Sequence, residues 1–414
     1  MEVTRGMSLC GDYYATEGNL MRLTLGNFDY RNNCFKDDKS KDNLYFSGDV
    51  KTEFILNEGD IITPLTEQAI GLLGSTAKVP CSGKYIQSQD VGLIKCNDKL
   101  NPDFAYYLIP SKLVRTQLSA AAQQTKIRHT SPDKIKNCTV WIPDYSTQEK
   151  IGKLLSALDD KIALNRRMNA KLEQMAKRLY DHWFVQFDFP NADGKPYKAS
   201  GGKMLWNETL KREIPAGWDN CILGDYIERI TNGLNPRKNF ELGSGKNYYV
   251  TIRSLLDGDI DWNNCDKCDD EALKKINSRS QLKTGDFIFS AIGTIGRTYR
   301  IYETPTNWNI SETSFTIRPK KNVPTDFFYA FLKSDELQLQ ADKKAMGSTL
   351  RCLVMDTLCE IPCVKVDFLI AQKFSNLVKP LFLNIYENNK ENRKLTALRD
   401  RLLPLLMNGQ VEVK

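Results

Sequence analysis

The residues with chemical potential in this chain are few and badly placed for catalysis. Its two histidines, His129 and His182, have no nearby serine or cysteine in an arrangement that makes a nucleophilic triad. Gly243-Ser244-Gly245-Lys246 has the look of a phosphate loop. A loop of that kind needs glycine at 240 and serine or threonine at 247, where this chain has Phe240 and Asn247. Cys265-Asp266-Lys267-Cys268 has the spacing of half a zinc knuckle, without a second pair at the right distance, so no metal is expected. Pro143-Asp144 followed by Asp159-Asp160-Lys161 matches a nuclease-like pattern. Both later aspartates fall between Leu158 and Ile162 on a predicted helix, where they read as a solvated face rather than a metal cradle.

What remains is recognition chemistry. Basic, amide and hydroxyl side chains on glycine-rich loops are the groups that read base edges and hold phosphates. The second half of the chain offers three such loops: Asn235-Pro236-Arg237-Lys238, Gly293-Thr294-Ile295-Gly296-Arg297 and Gly347-Ser348-Thr349-Leu350-Arg351. The first half offers Arg5, then Gly74-Ser75-Thr76-Ala77-Lys78, then Gln123-Gln124-Thr125-Lys126-Ile127-Arg128. The candidate nucleic-acid contacts are therefore Arg5, Lys78, Thr125, Lys126, Arg128, Arg237, Lys238, Thr294, Arg297, Ser348, Thr349 and Arg351. The formal charge of +7 and pI near 8.7 tilt toward a polyanionic partner.

The elements that must carry these loops are set by an internal repeat. Sliding the sequence by 223 residues aligns Asp103–Phe184 with Asp326–Met407 without a gap, and 19 of the 82 positions are identical. Chance would give roughly five, so self-similarity outranks any local signal. Arg128 and Arg351 coincide, which suggests a shared role such as phosphate contact. Upstream, Leu56-x-x-Gly59-Asp60 echoes Leu282-x-x-Gly285-Asp286, Gly26-x-Phe28-Asp29 echoes Gly258-x-Ile260-Asp261, and Val3-Thr4-x-Gly6 echoes Ile230-Thr231-x-Gly233. So long a period means two homologous halves. Each predicts an α+β module with a curled, mostly antiparallel sheet, over 1–145 and 218–366.

Each module is followed by a long helix. Ile151, Leu155, Leu158, Ile162, Leu172, Ala176 and Leu179 form a heptad stripe, repeated by Phe374, Val378, Leu381, Ile385, Leu395 and Leu402, with Arg399 in place of Ala176. Asn165 and Asn169, and again Asn388 and Asn392, sit in mid-stripe, where polar groups are costly without partners. An antiparallel pairing would set Asn165 against Asn392 and Asn169 against Asn388, fixing the register of a coiled coil. Pro380 must kink the second helix or mark its start. Thirty-two residues make a rod of about 48 Å. Two modules on such a spacer, related by a pseudo-twofold, suit two half-sites on duplex DNA about one turn apart. The expected segments are the helix 146–182, a linker 183–217, the helix 367–403 and a tail 404–414.

The linker reads WFVQFDFP (183–190), DGKPYKASGGKMLWN (193–207) and REIPAGW (212–218), and the chain ends LLPLLMNGQVEV (402–413). These phrases, with the order module, helix, linker, module, helix, closely resemble the specificity subunits of type I restriction-modification systems. The resemblance implies two tandem target recognition domains that each read half of a bipartite, asymmetric DNA site, and a chain without catalysis of its own. Two modification subunits carrying S-adenosylmethionine would methylate adenine, and restriction subunits would use ATP and Mg. No Asn-Pro-Pro-aromatic signature of an adenine methyltransferase appears in this chain. The segment REIPAGWDNCILGDYIER before the second module has no counterpart before Val3-Thr4-Arg5-Gly6, so the first module is expected to be short. Alternatives are a free-standing bipartite DNA-binding regulator or an inactive, truncated specificity subunit. Eleven scattered cysteines and no long apolar run or secretory signal point to a reduced, cytoplasmic, membrane-free protein.

Overall fold

A computed structural model describes residues 1–30, 32–38, 40–67, 71–121, 128–237 and 239–413. The chain divides into two compact units, Met1–Leu164 with Glu391–Lys414, and Asn165–Lys390. Among the described residues no helix is long and apolar enough to cross a membrane.

In the first unit the main sheet runs Glu2–Arg5, Val91–Lys95, Ile61–Pro64, Ala77–Lys78, all antiparallel, with Val3 opposite Ile94, Leu93 opposite Ile62 and Ile61 opposite Lys78. A second sheet of short strands contains a parallel pair, Tyr85–Ile86 with Met21–Arg22. Helix α1 (Pro102–Leu108) starts where a sequence reader would place it. Asn101 accepts the Phe104 N–H and Pro102 fills the first turn. Helices α2 (Lys112–Ala121) and α3 (Pro132–Lys136) follow, then the long α4 (Tyr145–Tyr180). Asp144 accepts the Thr147 hydroxyl at 2.7 Å and the Thr147 N–H at 3.0 Å at the start of α4, and these bonds hold its carboxyl below the usual range. Phe104 and Tyr107 of α1 pack in one core with Ile151 and Leu155 of α4 and with Leu406 and Met407.

The second unit repeats this plan. Its main sheet runs Ile227–Asn232, Ser314–Pro319, Phe287–Ser290, Thr298–Arg300, the same order at the equivalent positions. Its second sheet again holds a parallel pair, Asn247–Val250 with Trp308–Ile310. The shared sequence signals have shared causes. Asp60 and Asp286 each accept the N–H three residues earlier, both at 2.8 Å, and Gly59 and Gly285 supply the left-handed backbone of that turn. A Cβ on Gly6 would lie 2.2 Å from the Gln87 carbonyl oxygen, and one on Gly233 would lie 1.9 Å from that of Ile310. Only glycine fits either place.

Helix α5 (Asp270–Ser280) packs Leu273 and Ile276 beside Tyr249 in a small core of its own. It is followed by α6 (Thr325–Leu332), α7 (Asp335–Lys344), α8 (Met355–Cys359) and the long α9 (Phe368–Met407). The linker is an aromatic clasp, with Phe189 stacked on Trp218 at 4.9 Å and on Tyr197 at 4.8 Å. The sequence suggests one curled sheet per module; among the described residues each unit holds a main sheet, a second sheet with a parallel pair, and two further two-stranded pairs. Pro380 does not start the second long helix, which begins at Phe368 and runs through it. Asp219–Ile222 pairs antiparallel with Pro362–Lys365, so Val364 is buried. Trp141, the residue equivalent to Val364, is 48% exposed in the first unit.

Candidate nucleic-acid interface

In the second unit three of the loops marked by sequence converge. The turn Ser311–Thr313 is their common support. Glu312 accepts the Asn235 amide at 2.7 Å and the Tyr249 hydroxyl at 3.0 Å, which pins the loop carrying Arg237. Asn235 in turn accepts the Arg237 N–H at 3.0 Å, an Asx turn that leaves the Arg237 side chain exposed. The Ala291 N–H donates to the Thr313 carbonyl at 2.9 Å, and the Gly293 N–H to the Arg351 carbonyl at 2.8 Å. The loop of Thr294 therefore lies beside that of Ser348 and Thr349, and all three side chains are exposed. Met346 and Leu350, each 64% exposed, flank them. Sequence reasoning passed over both, because apolar side chains on a polar loop carry no basic or amide signal.

Unlike Arg237, the other two arginines of these loops are engaged within the module. Arg297 donates to the carbonyls of Ile252 at 3.0 Å and Leu255 at 2.8 Å, so it binds one loop to another. Arg351 is held by the carboxylate and carbonyl of Asp342. Its repeat equivalent Arg128 approaches the buried Glu67 at 3.5 Å and Ser119 at 3.3 Å. Glu67 also accepts the N–H groups of Gly71, Leu72 and Leu73, all at 3.1 Å. Each repeat arginine thus has an acid of its own module.

The first unit needs a correction. Gly74–Lys78 reads as a surface loop, yet Ser75, Thr76 and Ala77 are fully buried. Thr76 donates to the Tyr106 carbonyl at 2.9 Å, and Lys78 is spent on Asp103 at 2.6 Å. The equivalent pair in the second unit is Arg300 with Asp326, at 2.5 Å. Arg115, which sequence reasoning missed, bridges Gly71, Ser75 and Asn33, and burial pulls its pKa down against the pull of Glu67. Arg5 is exposed at the end of its strand. Thr125 and Lys126, and in the other half Lys238, lie outside the described residues.

On the helices, Asn388 donates to Asn169 at 2.8 Å, and Asn169 donates to Asn389, a residue not singled out by the stripe, at 2.7 Å. Asn165 is fully buried in the second unit, and Asn392 is half-buried in the first. Asp159 does not lie on a solvated face. Arg399 donates to it at 2.7 Å and Tyr107 at 2.7 Å, whereas Asp160 is exposed. Burial works against the charge of Arg399, but Asp159 and Asp400 hold its pKa above the usual value.

Such loops can present hydroxyls, amides and cations to a polar surface, which is the inventory of base and phosphate contact. Residues 27–174 match the family described as "Type I restriction modification DNA specificity domain". The chain is 26% identical over 323 residues to the type I restriction enzyme MjaIX specificity subunit of Methanocaldococcus jannaschii, covering 77% of this chain and 71% of that one. It is 25% identical over 382 residues to the HindI specificity subunit of Haemophilus influenzae, covering 79% and 81%. The fold is shared with the crystal structure of the type I restriction-modification S subunit from M. genitalium, at a TM-score of 0.58 and 19% identity over 98% of this chain and 93% of that one. The family match, the relatives and the shared fold agree: over most of its length the chain is similar to the specificity subunits of type I restriction-modification systems.

Proposed function

We propose that each unit carries one target recognition domain and reads one half of a bipartite, asymmetric site on double-stranded DNA. The observation that carries this reading is the repeated plan: two main sheets of the same strand order, with the same turn chemistry at Asp60 and Asp286. In the second domain Arg237, Lys238, Thr294, Ser348 and Thr349 touch bases or phosphates, and in the first Arg5, Thr125 and Lys126 do. Lys78, Arg128, Arg297 and Arg351 act by setting loop shape, consistent with their intramodule partners. The long helices form the antiparallel spacer that fixes the gap between half-sites, with the asparagines Asn165, Asn169, Asn388 and Asn392 setting its register. The antiparallel order is supported within the second unit by Asn169 against Asn388 and Tyr180 against Phe374.

The chain itself is not catalytic. Two modification subunits bind the spacer and linker and methylate adenine with S-adenosylmethionine; restriction subunits, using ATP and Mg, join them in the cytoplasm. Sequencing the methylome of a host that expresses this chain with its modification subunit tests the reading. A new bipartite N6-methyladenine motif is the expected outcome. Arg237→Ala should then weaken methylation by about 1–3 kcal/mol at base pairs of one half only. A symmetric motif, or none from a stable complex, contradicts the proposal.

A further inference from the structure

The second unit contains a cavity of about 400 Å³, walled by α4, α6 and α9. That is within the size range of small-molecule sites. The internal repeat explains why it is there. At the equivalent place in the first unit the space is filled: Arg399 and Tyr107, 8% and 5% exposed, close on Asp159. In the second unit the same three positions are Ala176, Ala330 and Phe382, all lining the cavity. Two large side chains have become alanine, and the volume they fill elsewhere is left over. What one half packs with a guanidinium, the other half leaves unfilled.

The walls retain the chemistry that suits a cation. The acid has moved rather than vanished: Phe382 replaces Asp159, but Glu173 and Asp257 line the cavity from other positions. Lys333 lies 3.0 Å from Asp257 and 3.9 Å from Glu173, so one ammonium faces two carboxylates. Lys177, also at the wall, is held by both oxygens of Asp335 at 2.5 and 2.6 Å. One negative charge is left uncompensated across this set. Tyr302 and Tyr386, stacked at 4.1 Å, line the same cavity, with their hydroxyls donating to the Phe382 carbonyl and to Glu303. Aromatic rings beside a carboxylate are the setting in which organic cations bind.

We propose that this cavity is a binding site for a small organic monocation bearing a guanidinium or primary ammonium group, seated where the first unit keeps Arg399. The site does not depend on how the loops read DNA. Bound ligand would brace α6 against the two long helices and raise the melting midpoint by mass action.

The test uses the full-length protein, free of DNA, titrated calorimetrically with n-butylguanidinium and with the uncharged isostere n-butylurea. Saturable binding of one equivalent of the guanidinium, at least about tenfold tighter than of the urea, is expected. Ala330→Tyr, which restores the side chain of the filled half, should abolish binding while the circular dichroism spectrum stays native. If that variant does not fold, Glu173→Gln and Asp257→Asn serve in its place, and each should weaken binding about tenfold or more. Absence of saturable binding at millimolar concentrations, equal affinity for the urea, or binding unaffected by these variants overturns the proposal.

Discussion

Arg399 interrupts the apolar stripe of the last helix, and what it does there depends on Asp159 and Tyr107. Its side chain is 10% exposed and that of Asp159 is 26% exposed, so solvent screens the pair only in part. Removing the arginine strands a half-buried carboxylate with Tyr107 as its remaining donor. Arg399→Ala should therefore cost about 2 kcal/mol in urea denaturation of the first unit. The double variant with Asp159→Ala should cost less than the two single changes summed, by about 1 kcal/mol or more. Strict additivity would mean the ion pair contributes nothing. The break at Arg399 was legible in the sequence, since it falls between Leu395 and Leu402 on the stripe and stands where the first helix has Ala176. Its partner was not, because Asp159 follows Leu158 and precedes Asp160 in a pattern that reads as a wet face. Similarly, Gly74–Lys78 has the composition of a loop tip, and only the Thr76 contact with Tyr106 shows that it lies inside.

At the level of elements, the repeat made most of the frame readable. Gly59 and Gly285, Asp60 and Asp286, and Asp103 and Asp326 in the first turns of α1 and α6 announce themselves by residue type and by recurring in the same order. The second sheet of the first unit was hidden because strands of two residues, such as Met21–Arg22, carry no period. Pro380 misled for a different reason. It removes one donor from α9, at a general cost of about 3 kcal/mol. Burial of Phe374 and Val378 before it, and Phe382 and Ile385 after it, outweighs that cost and carries the helix through. Pro380→Ala should accordingly raise the stability of the second unit, by about 1 kcal/mol once the existing accommodation is allowed for. A lowered urea midpoint would show that the proline sets a bend the packing requires.

At the level of the whole molecule, the two units are built differently from the chain. The second is one continuous stretch, Asn165–Lys390, whereas the first needs Glu391–Lys414 as well as Met1–Leu164. Leu406 and Met407, 1% and 3% exposed, are part of the same core as Phe104 and Ile151. Ending the chain after Lys390 should leave the second unit's unfolding transition in place and remove that of the first, with residues 1–164 becoming the preferred target of limited proteolysis. Loss of both transitions together would show that the two units fold as one. The order of synthesis gives the division a further consequence. The ribosome delivers the first unit's strands before the second unit, but the residues that close its core, Glu391–Lys414, emerge only after the second unit is made. The part begun first is thus the last to be finished, and through most of translation its apolar faces must wait, available to chaperones, for the final turns of α9.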